Sequence, residues 1–364
     1  MEEITRIGID TSKHFFQLHG VNAMEQVVLR KKLRRKELLP FLAKLPPTVI
    51  GLEACGGSHC WAREIQALGH EPRLVPAAYA KMYVKRGKND AADAGAVCEA
   101  TGRPSMRFVP VKSAENQAAL MLAGMRERMI RSRTQVSNRI RGYAAEFGLI
   151  AAKGMCKLPL LLERIREDCS IPELAREMFE LLAGEFADIN RRMHALDRRL
   201  MAWHRQNEVS RRLAEQPGIG PIGGSLLAMK VPNPEMYRSA RDFAAWIGLT
   251  PKDHSTANKQ RLGGITRAGD EQLRAVLVSG AMAVLRQAKR PGSHSSPAVV
   301  RLLQHKSMKL AAVALANKNA RIAWRLMVSG GRYDPLHHGR TNLAPCSAPS
   351  RTLARRYARL LRNP

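Results

Sequence analysis

The chain has 364 residues, more than one ordinary domain holds, and its 60 Lys and Arg against 31 Asp and Glu leave a formal net charge of +29. Such a balance points to a polyanionic partner, nucleic acid above all, because neutralised phosphates release condensed counterions. A hydrophobic fraction of 45% excludes a merely basic, disordered tail. No apolar run reaches the length of about 18 residues that a membrane span needs, and the start MEEITRIGID is acidic and then strand-like, so a soluble, cytoplasmic protein is expected.

Residues 1–110 alternate short apolar runs with turns. ITRIGID, QVVLRKKL, TVIGLEA and EPRLVP read as strands, and GGSHCWAREIQALGH between the last two reads as a helix with Ser58 as its cap and Gly69 at its end. The expectation is a β-hairpin followed by β-α-β, an α/β sheet domain. Residues 111–205 change to helical rhythm. Leu122, Met125, Met129, Val136, Ile140, Tyr143 and Phe147 form one stripe, and Leu182, Phe186, Ile189, Met193, Leu196, Leu200 and Trp203 a second. Two long amphipathic helices of coiled-coil type follow, joined through Gly154, Pro159 and Pro172. Arg126, Arg128, Arg131, Arg133, Arg139 and Arg141 crowd the first, as a solvated face or one turned to nucleic acid. Residues 206–330 read as helices with Gly-rich interruptions, and residues 331–364 as a basic tail carrying Arg351, Arg355, Arg356, Arg359 and Arg362. The fold class is thus α/β plus α. Cys55, Cys60, Cys98, Cys156, Cys169 and Cys346 lack zinc-site spacing and read as reduced structural thiols.

Four carboxylates carry the first chemical signal. Asp10 closes the first strand in IGIDTSK, with Lys13 just beyond, and Glu53 stands at the matching place in TVIGLEACGG. Both would project from strand ends into one crevice. In KNDAADAGAV, Asp90 and Asp93 stand three residues apart and share a helical face, while Ala91, Ala92, Ala94 and Gly95 are small enough to let that helix lie close to the strand ends. Four such acids suit hard, octahedral Mg²⁺, and two ions about 4 Å apart can clamp the attacking and leaving oxygens of a phosphodiester. Each acid alone has an ordinary explanation: a turn residue, a partner for an arginine, a helix N-terminal acid. Together, in so basic a chain, they point to a metal-dependent nuclease or strand-transferase.

The second signal is WIGLTPKDHSTANKQRLGGITRAGDEQLRAVL, residues 246–277. A polar loop holds Ser255 and Thr256 near Lys252, Lys259, Arg261 and Arg267, then leads through Gly263, Gly264 and Gly269 into a helix opening at Asp270. Cationic side chains and a helix N-terminus would stabilise a pentavalent phosphate, and either hydroxyl could attack one; no Asp/His pair at recognisable spacing marks Ser255 as activated. Upstream, QPGIGPIGGSLLAMKV places Gly218 and Gly220 in the turn of a helix-hairpin-helix, where backbone N–H groups meet phosphates, or in a plain interhelical turn.

In this order, GIDTSK, GLEACGG, KNDAADA, PGIGPIGG and GLTPKDHSTANKQRLGGITRAGD resemble the DEDD transposases of the insertion-sequence 110 family, over residues 4–330. The resemblance implies a RuvC-like (RNase H-type) domain, a coiled-coil segment and a C-terminal transposase domain. It implies that Asp10, Glu53, Asp90 and Asp93 bind Mg²⁺, with Mn²⁺ as a substitute, and that Ser255 is the nucleophile. It further implies target and donor DNA as substrates, a bridge RNA as guide, and a tetramer of two dimers with composite sites. The chain departs from the family at Ala257 and Asn258, where many members have two glycines, and in its longer basic tail. Two other readings remain open. One is a junction-resolving nuclease that activates water, and the other a non-catalytic nucleic-acid-binding protein whose acids form structural ion pairs.

Overall fold

The computed structural model describes residues 3–83, 89–256, 259, 261–293 and 296–334. It divides into two compact units, Met1–Ala118 and Ala119–Pro364. Ala257, Asn258, the tail arginines and Cys346 lie outside the described residues.

The first unit is built on a five-stranded mixed sheet. β1 (Arg6–Thr11), β2 (Phe15–Val21) and β3 (Val27–Arg34) form an antiparallel meander. After α1 (Leu38–Leu42), β4 (Val49–Glu53) returns parallel to β1, and α2 (Ser58–Ala67) leads to β5 (Glu71–Val75), parallel to β4. The strand order is therefore β3-β2-β1-β4-β5. α3 (Ala77–Ala80) and α4 (Asp90–Thr101) follow. The hairpin partner of β1 is β2, a strand the apolar runs did not reveal, and QVVLRKKL lies one strand further out as β3. The reason is composition: FFQLHGV does alternate, with Phe16 and Leu18 buried and Gln17 and His19 on the other face, but Gly20 takes the third core position and leaves too few apolar residues to form a run. Ser58 is not the cap of α2 either; Gly57 at φ 88° holds that place, and the Ser58 hydroxyl donates to the Cys55 carbonyl at 2.9 Å.

One face of the sheet buries Ile7, Ile9, Phe16, Leu18, Leu33, Ile50 and Leu52 against Leu38, Leu42, Ala62 and Ile65. Each such side chain contributes about 1.5–3 kcal/mol of burial. The opposite face is covered by α4, and here glycine sets the distance. A Cβ on Gly8 would lie 2.3 Å from the Cys98 backbone nitrogen and 2.4 Å from the Ala94 carbonyl oxygen, and one on Gly51 would meet the Thr101 hydroxyl at 1.9 Å. The close approach is therefore made by Ala94, Cys98 and Thr101 on two strand glycines, while Ala91, Ala92 and Gly95 line a cleft to the side.

The second unit is helical. α5 (Ala114–Glu146), which begins in the last residues of the first unit, and α7 (Glu173–Gln206) are the long helices, and between them lies α6 (Leu158–Glu167). Pro159 stands in the first turn of α6, where its missing N–H leaves no hydrogen bond unmade, so a residue that looked like a linker starts a helix. Val136, Ile140, Leu158, Leu161, Ile165, Phe179 and Ile189 tie these three helices together. Met125 and Tyr143, expected on the buried stripe of α5, are each 53% exposed, and the small residues Ala119, Ala123 and Ala144 are buried instead. A second core joins α8 (Glu208–Ala214), α9 (Pro221–Lys230), α10 (Ala240–Trp246), α11 (Glu271–Ala288), α12 (Pro297–His305) and α13 (Met308–Ser329), with the hairpin β6 (Pro251–Asp253) and β7 (Leu262–Ile265) between α10 and α11. Among the described residues the cysteines are free thiols, and no helix is long and apolar enough to cross a membrane.

The glycine contacts set an expectation for stability. Gly8→Ala must push α4 off β1 against backbone atoms that cannot rotate away, and should cost about 3 kcal/mol or more in urea unfolding. Gly124→Ala, in α5 with open space around it, should instead add about 0.5–1 kcal/mol. Equal effects of the two would refute the packing account.

Candidate active site

Asp10 is the fifth residue of β1 and pairs with Gln17. Strand alternation puts it on the same face as Gly8, the face α4 covers, opposite Ile7 and Ile9. Glu53 is the last residue of β4, the parallel neighbour, so both acids leave the sheet at the same end. Asp90 is the first residue of α4 and Asp93 stands one turn along. Asn89 caps the helix, its side chain accepting from the Ala92 N–H at 2.7 Å, so neither aspartate is spent on capping.

The sequence carries these acids on three elements, and the fold gathers their fields onto Asp10. Burial pushes the Asp10 carboxyl up to about 6, and the negative charges of Asp90, Asp93 and Glu53 push in the same direction, eased only by the Thr11 backbone N–H. Among the described residues none of the four acids forms a salt bridge, although Lys and Arg outnumber Asp and Glu in the chain. Glu53 is thus no arginine's partner here. Among the described residues, no three His, Cys, Asp or Glu side chains converge closely enough to hold a metal ion as they stand. The donor chemistry, four carboxylates with no salt-bridge partner among the described residues, nevertheless suits a divalent cation. Lys13 lies exposed in the turn that follows β1.

Ser255 lies in the second unit, at the end of the β6–β7 hairpin. Its backbone N–H donates to Asp253 Oδ1 at 2.8 Å, and its Oγ accepts from the Arg261 N–H at 3.0 Å. The His254 N–H donates to the Arg261 carbonyl at 2.8 Å, and Thr256 and Lys259 exchange backbone bonds of 3.2 and 3.0 Å. The serine is held by a hairpin rather than by a free loop. Contact with the serine holds the Asp253 carboxyl below its usual range. A carboxylate therefore does stand beside Ser255, two residues upstream, where sequence reading found no activating pair; the Asx-turn spacing Asp-x-Ser was the available signal.

Lys252, Lys259 and Arg261 are exposed along the same hairpin, and Arg267 stands beyond it at φ 55°. The helix end expected to help phosphate is already satisfied. Asp270 caps α11, accepting from the Leu273 N–H at 2.8 Å, and pairs with Lys230 Nζ at 2.6 Å. Gly218, at φ 88°, packs where a Cβ would meet the Asn319 side-chain nitrogen at 2.7 Å, while Gly220 is the exposed N-cap residue of α9. Asn319 also donates to the Pro217 carbonyl at 3.0 Å, so α13 braces this turn. Arg126 is paired with Asp197 across α5 and α7 at 2.5 Å, and Arg133, partly covered, has its Nε buried.

A mixed sheet that brings Asp10 and Glu53 to one end beside two helical aspartates is compatible with a RuvC-like, DEDD-type domain. Comparison with known proteins agrees. A DEDD-type transposase family model, described as "Transposase", matches residues 7–147, and one described as "Transposase IS116/IS110/IS902 family" matches residues 210–295. The chain is 62% identical to a putative transposase, y4pF/y4sB, of Sinorhizobium fredii, over 92% of this chain and 86% of that protein. It is 43% identical to a probable family 20 transposase of Pseudomonas aeruginosa, over 91% of this chain and 99% of that one. With the transposase for insertion sequence element IS1111A of Coxiella burnetii it shares 34% identity over 92% of each. The chain belongs to the IS110 family of insertion-sequence transposases. A DEDD transposase domain implies use of a divalent metal.

The Asp10 environment has a stability consequence. A carboxyl raised from 3.8 to about 6 in the folded chain binds more protons there than when unfolded, so its contribution declines as pH rises through that window and the full cost stands above it. The interval caps the cost at about 3 kcal/mol, and partial solvent access reduces it to about 1–2 kcal/mol. Asp10→Asn should therefore melt higher than wild type at pH 7.5 in chelator, with the difference closing towards pH 4. A difference independent of pH would show that folding does not raise the Asp10 carboxyl.

Proposed function

We propose that this transposase exchanges DNA strands by Mg²⁺-dependent attack of Ser255, guided by a bridge RNA. The observation that carries the reading is that Asp10 and Glu53 leave the sheet at one end, that Asp90 and Asp93 stand close enough to act on Asp10, and that none of the four is in a salt bridge among the described residues. A divalent cation there would supply the positive charge that a scissile phosphate needs. Asp10, Glu53, Asp90 and Asp93 hold it, with Mn²⁺ as a workable substitute.

The Ser255 hydroxyl attacks phosphorus, the serine O–P bond forms as the bond to the 3′ oxygen breaks, and the serine proton passes to the leaving 3′-hydroxyl. That hydroxyl from one DNA then attacks the phosphoserine of the other, forming a new 3′ O–P bond as the serine O–P bond breaks and the proton returns to the Ser255 oxygen, so no phosphodiester energy is lost. Lys252, Lys259, Arg261 and Arg267 surround the serine with positive charge, which favours the pentavalent phosphate. Asp253 sets the direction of the serine by holding its N–H. Residues 1–110 act as the RuvC-like catalytic domain, 111–205 as a coiled-coil segment, 206–330 as the transposase domain and 331–364 as a nucleic-acid-binding tail. Arg126 and Arg133, together with Gly218, Gly220 and Lys13, contribute nucleic-acid contacts. Dimers pair to a tetramer in which acids and serine from different protomers complete each site, in the cytoplasm at the nucleoid. Base pairing with the guide chooses sequence, as in other RNA-guided systems, and the protein reads backbone and shape.

The test is a denaturing-gel assay for a covalent protein–DNA adduct with Mg²⁺, the element-end RNA and labelled target and donor duplexes. An adduct in the wild type that Ser255→Ala and Asp10→Ala each reduce at least about 10²-fold is expected, in line with loss of a group acting only in the transition state. Free nicked DNA that survives Ser255→Ala would make water the nucleophile and the enzyme resolvase-like. Binding without Mg²⁺-dependent cleavage would leave a non-catalytic nucleic-acid-binding protein.

A further inference from the structure

The outer strand of the first unit carries a feature that the carboxylate reading leaves unused. β3 places Arg30, Lys32 and Arg34 at alternate positions, so all three side chains leave the same face of the sheet. The register identifies that face. Asp10 pairs with Gln17 and Gln17 with Lys32; Gly8 pairs with His19 and His19 with Arg30; Phe15 pairs with Arg34. Directly paired residues point the same way, so the three cations share a face with Asp10, two strands away, at about 10 Å between backbones.

Among the described residues none of the three is in a salt bridge, and all three are exposed. Lys31, one residue off the row, turns to the other face and lies 4.7 Å over the Phe41 ring. Beside the row, Phe15 is 42% exposed, with Lys32 Nζ 4.8 Å over its ring. A cleft of about 780 Å³ runs between this face and α4, lined by Gln17, His19, Arg30, Ala92, Gly95 and Arg103. Burial first, and then the charge of Arg30, hold His19 below its usual range.

We propose that Arg30, Lys32 and Arg34 form a rail for the single DNA strand whose scissile phosphate lies at Asp10, with Phe15 as the stacking face for a base next to the cut. The inference rests on the transposase reading of the four acids. Residues two apart on a strand stand about 6.8 Å apart, a step that suits successive phosphates of an extended single strand. Positive charge next to an anionic cluster also has a clear use. It holds the flanking phosphates that the acids alone would repel, and it fixes which length of backbone crosses the sheet end. The cleft beside the row has small-residue walls at Ala92 and Gly95, which leave room for unstacked bases.

The experiment measures fluorescence anisotropy of a labelled single-stranded DNA from the element end, with the full chain in chelator, across about 50–200 mM salt. Each lost phosphate contact on a single strand lowers the slope of log affinity against log salt by about 0.7, so Arg30→Gln/Lys32→Gln/Arg34→Gln should lower it by about 2. Lys31→Gln, on the same strand but the other face, should leave it unchanged. Should the triple variant melt early, Arg30→Gln and Arg34→Gln singly should each lower the slope by about 0.7. An unchanged slope overturns the rail, as does a loss seen with an RNA of the same sequence but not with DNA. The underlying reading fails differently: divalent-dependent cleavage would be absent while the rail variants still lost DNA affinity.

Discussion

The arrangement depends on how closely α4 lies against β1 and β4. Gly8 and Gly51 remove the side chains that would hold a helix about 10 Å from a sheet, and Ala94, Cys98 and Thr101 settle onto bare backbone. Nothing in that contact is polar enough to specify chemistry. Its effect is positional: the first turn of α4 comes to the end of the sheet where Asp10 and Glu53 leave it. A larger residue at either glycine would keep the fold class and separate the acids.

Backbone packing, rather than ion pairing, therefore fixes the four acids. Burial, and after it the charges of Asp90, Asp93 and Glu53, push the Asp10 carboxyl up to about 6. Other acids in this chain are taken up by bases: Asp197 by Arg126, Asp270 by Lys230, Glu180 by Arg166. Those three acids each have a base at hydrogen-bond distance, whereas among the described residues the four at the sheet end have none, which leaves their charge to a cation. The contrast separates a binding cluster from surface charge more sharply than any count of carboxylates.

What the sequence made legible follows the physics of each signal. Asp10 and Glu53 were visible because an acid at the end of an apolar strand is costly, and Asp90 with Asp93 because i and i+3 share a helical face. α5 and α7 were visible from period alone. β2 was not, since its core row Phe16, Leu18, Gly20 ends in a glycine and forms no apolar run, and neither was α6, since Pro159 reads as a break whether it ends one helix or begins another. The stripe of α5 was read by residue size, yet Met125 and Tyr143 are exposed while alanines are buried: close helix packing selects small side chains that carry little hydropathy signal. Gly8 and Gly51 escaped for a related reason, because a glycine in a strand announces only that something comes near, not what does.

The serine hairpin shows the same limit from the other side. Its hydroxyl was legible as one of two neighbours, Ser255 or Thr256, and nothing in composition separates them. In the structure their surroundings differ: Ser255 Oγ accepts from the Arg261 backbone and its N–H is held by Asp253, while the backbone of Thr256 closes the turn with Lys259. A hydroxyl that accepts a backbone N–H has its oxygen held in place, and here the Asp253 carboxylate stands beside it. The orientation comes from the chain pairing across β6 and β7 together with Asp253, which holds the serine N–H. The hairpin is thus the element that prepares Ser255, bringing Asp253 and the Arg261 N–H to it, a pairing that no Asp/His spacing in the chain announces.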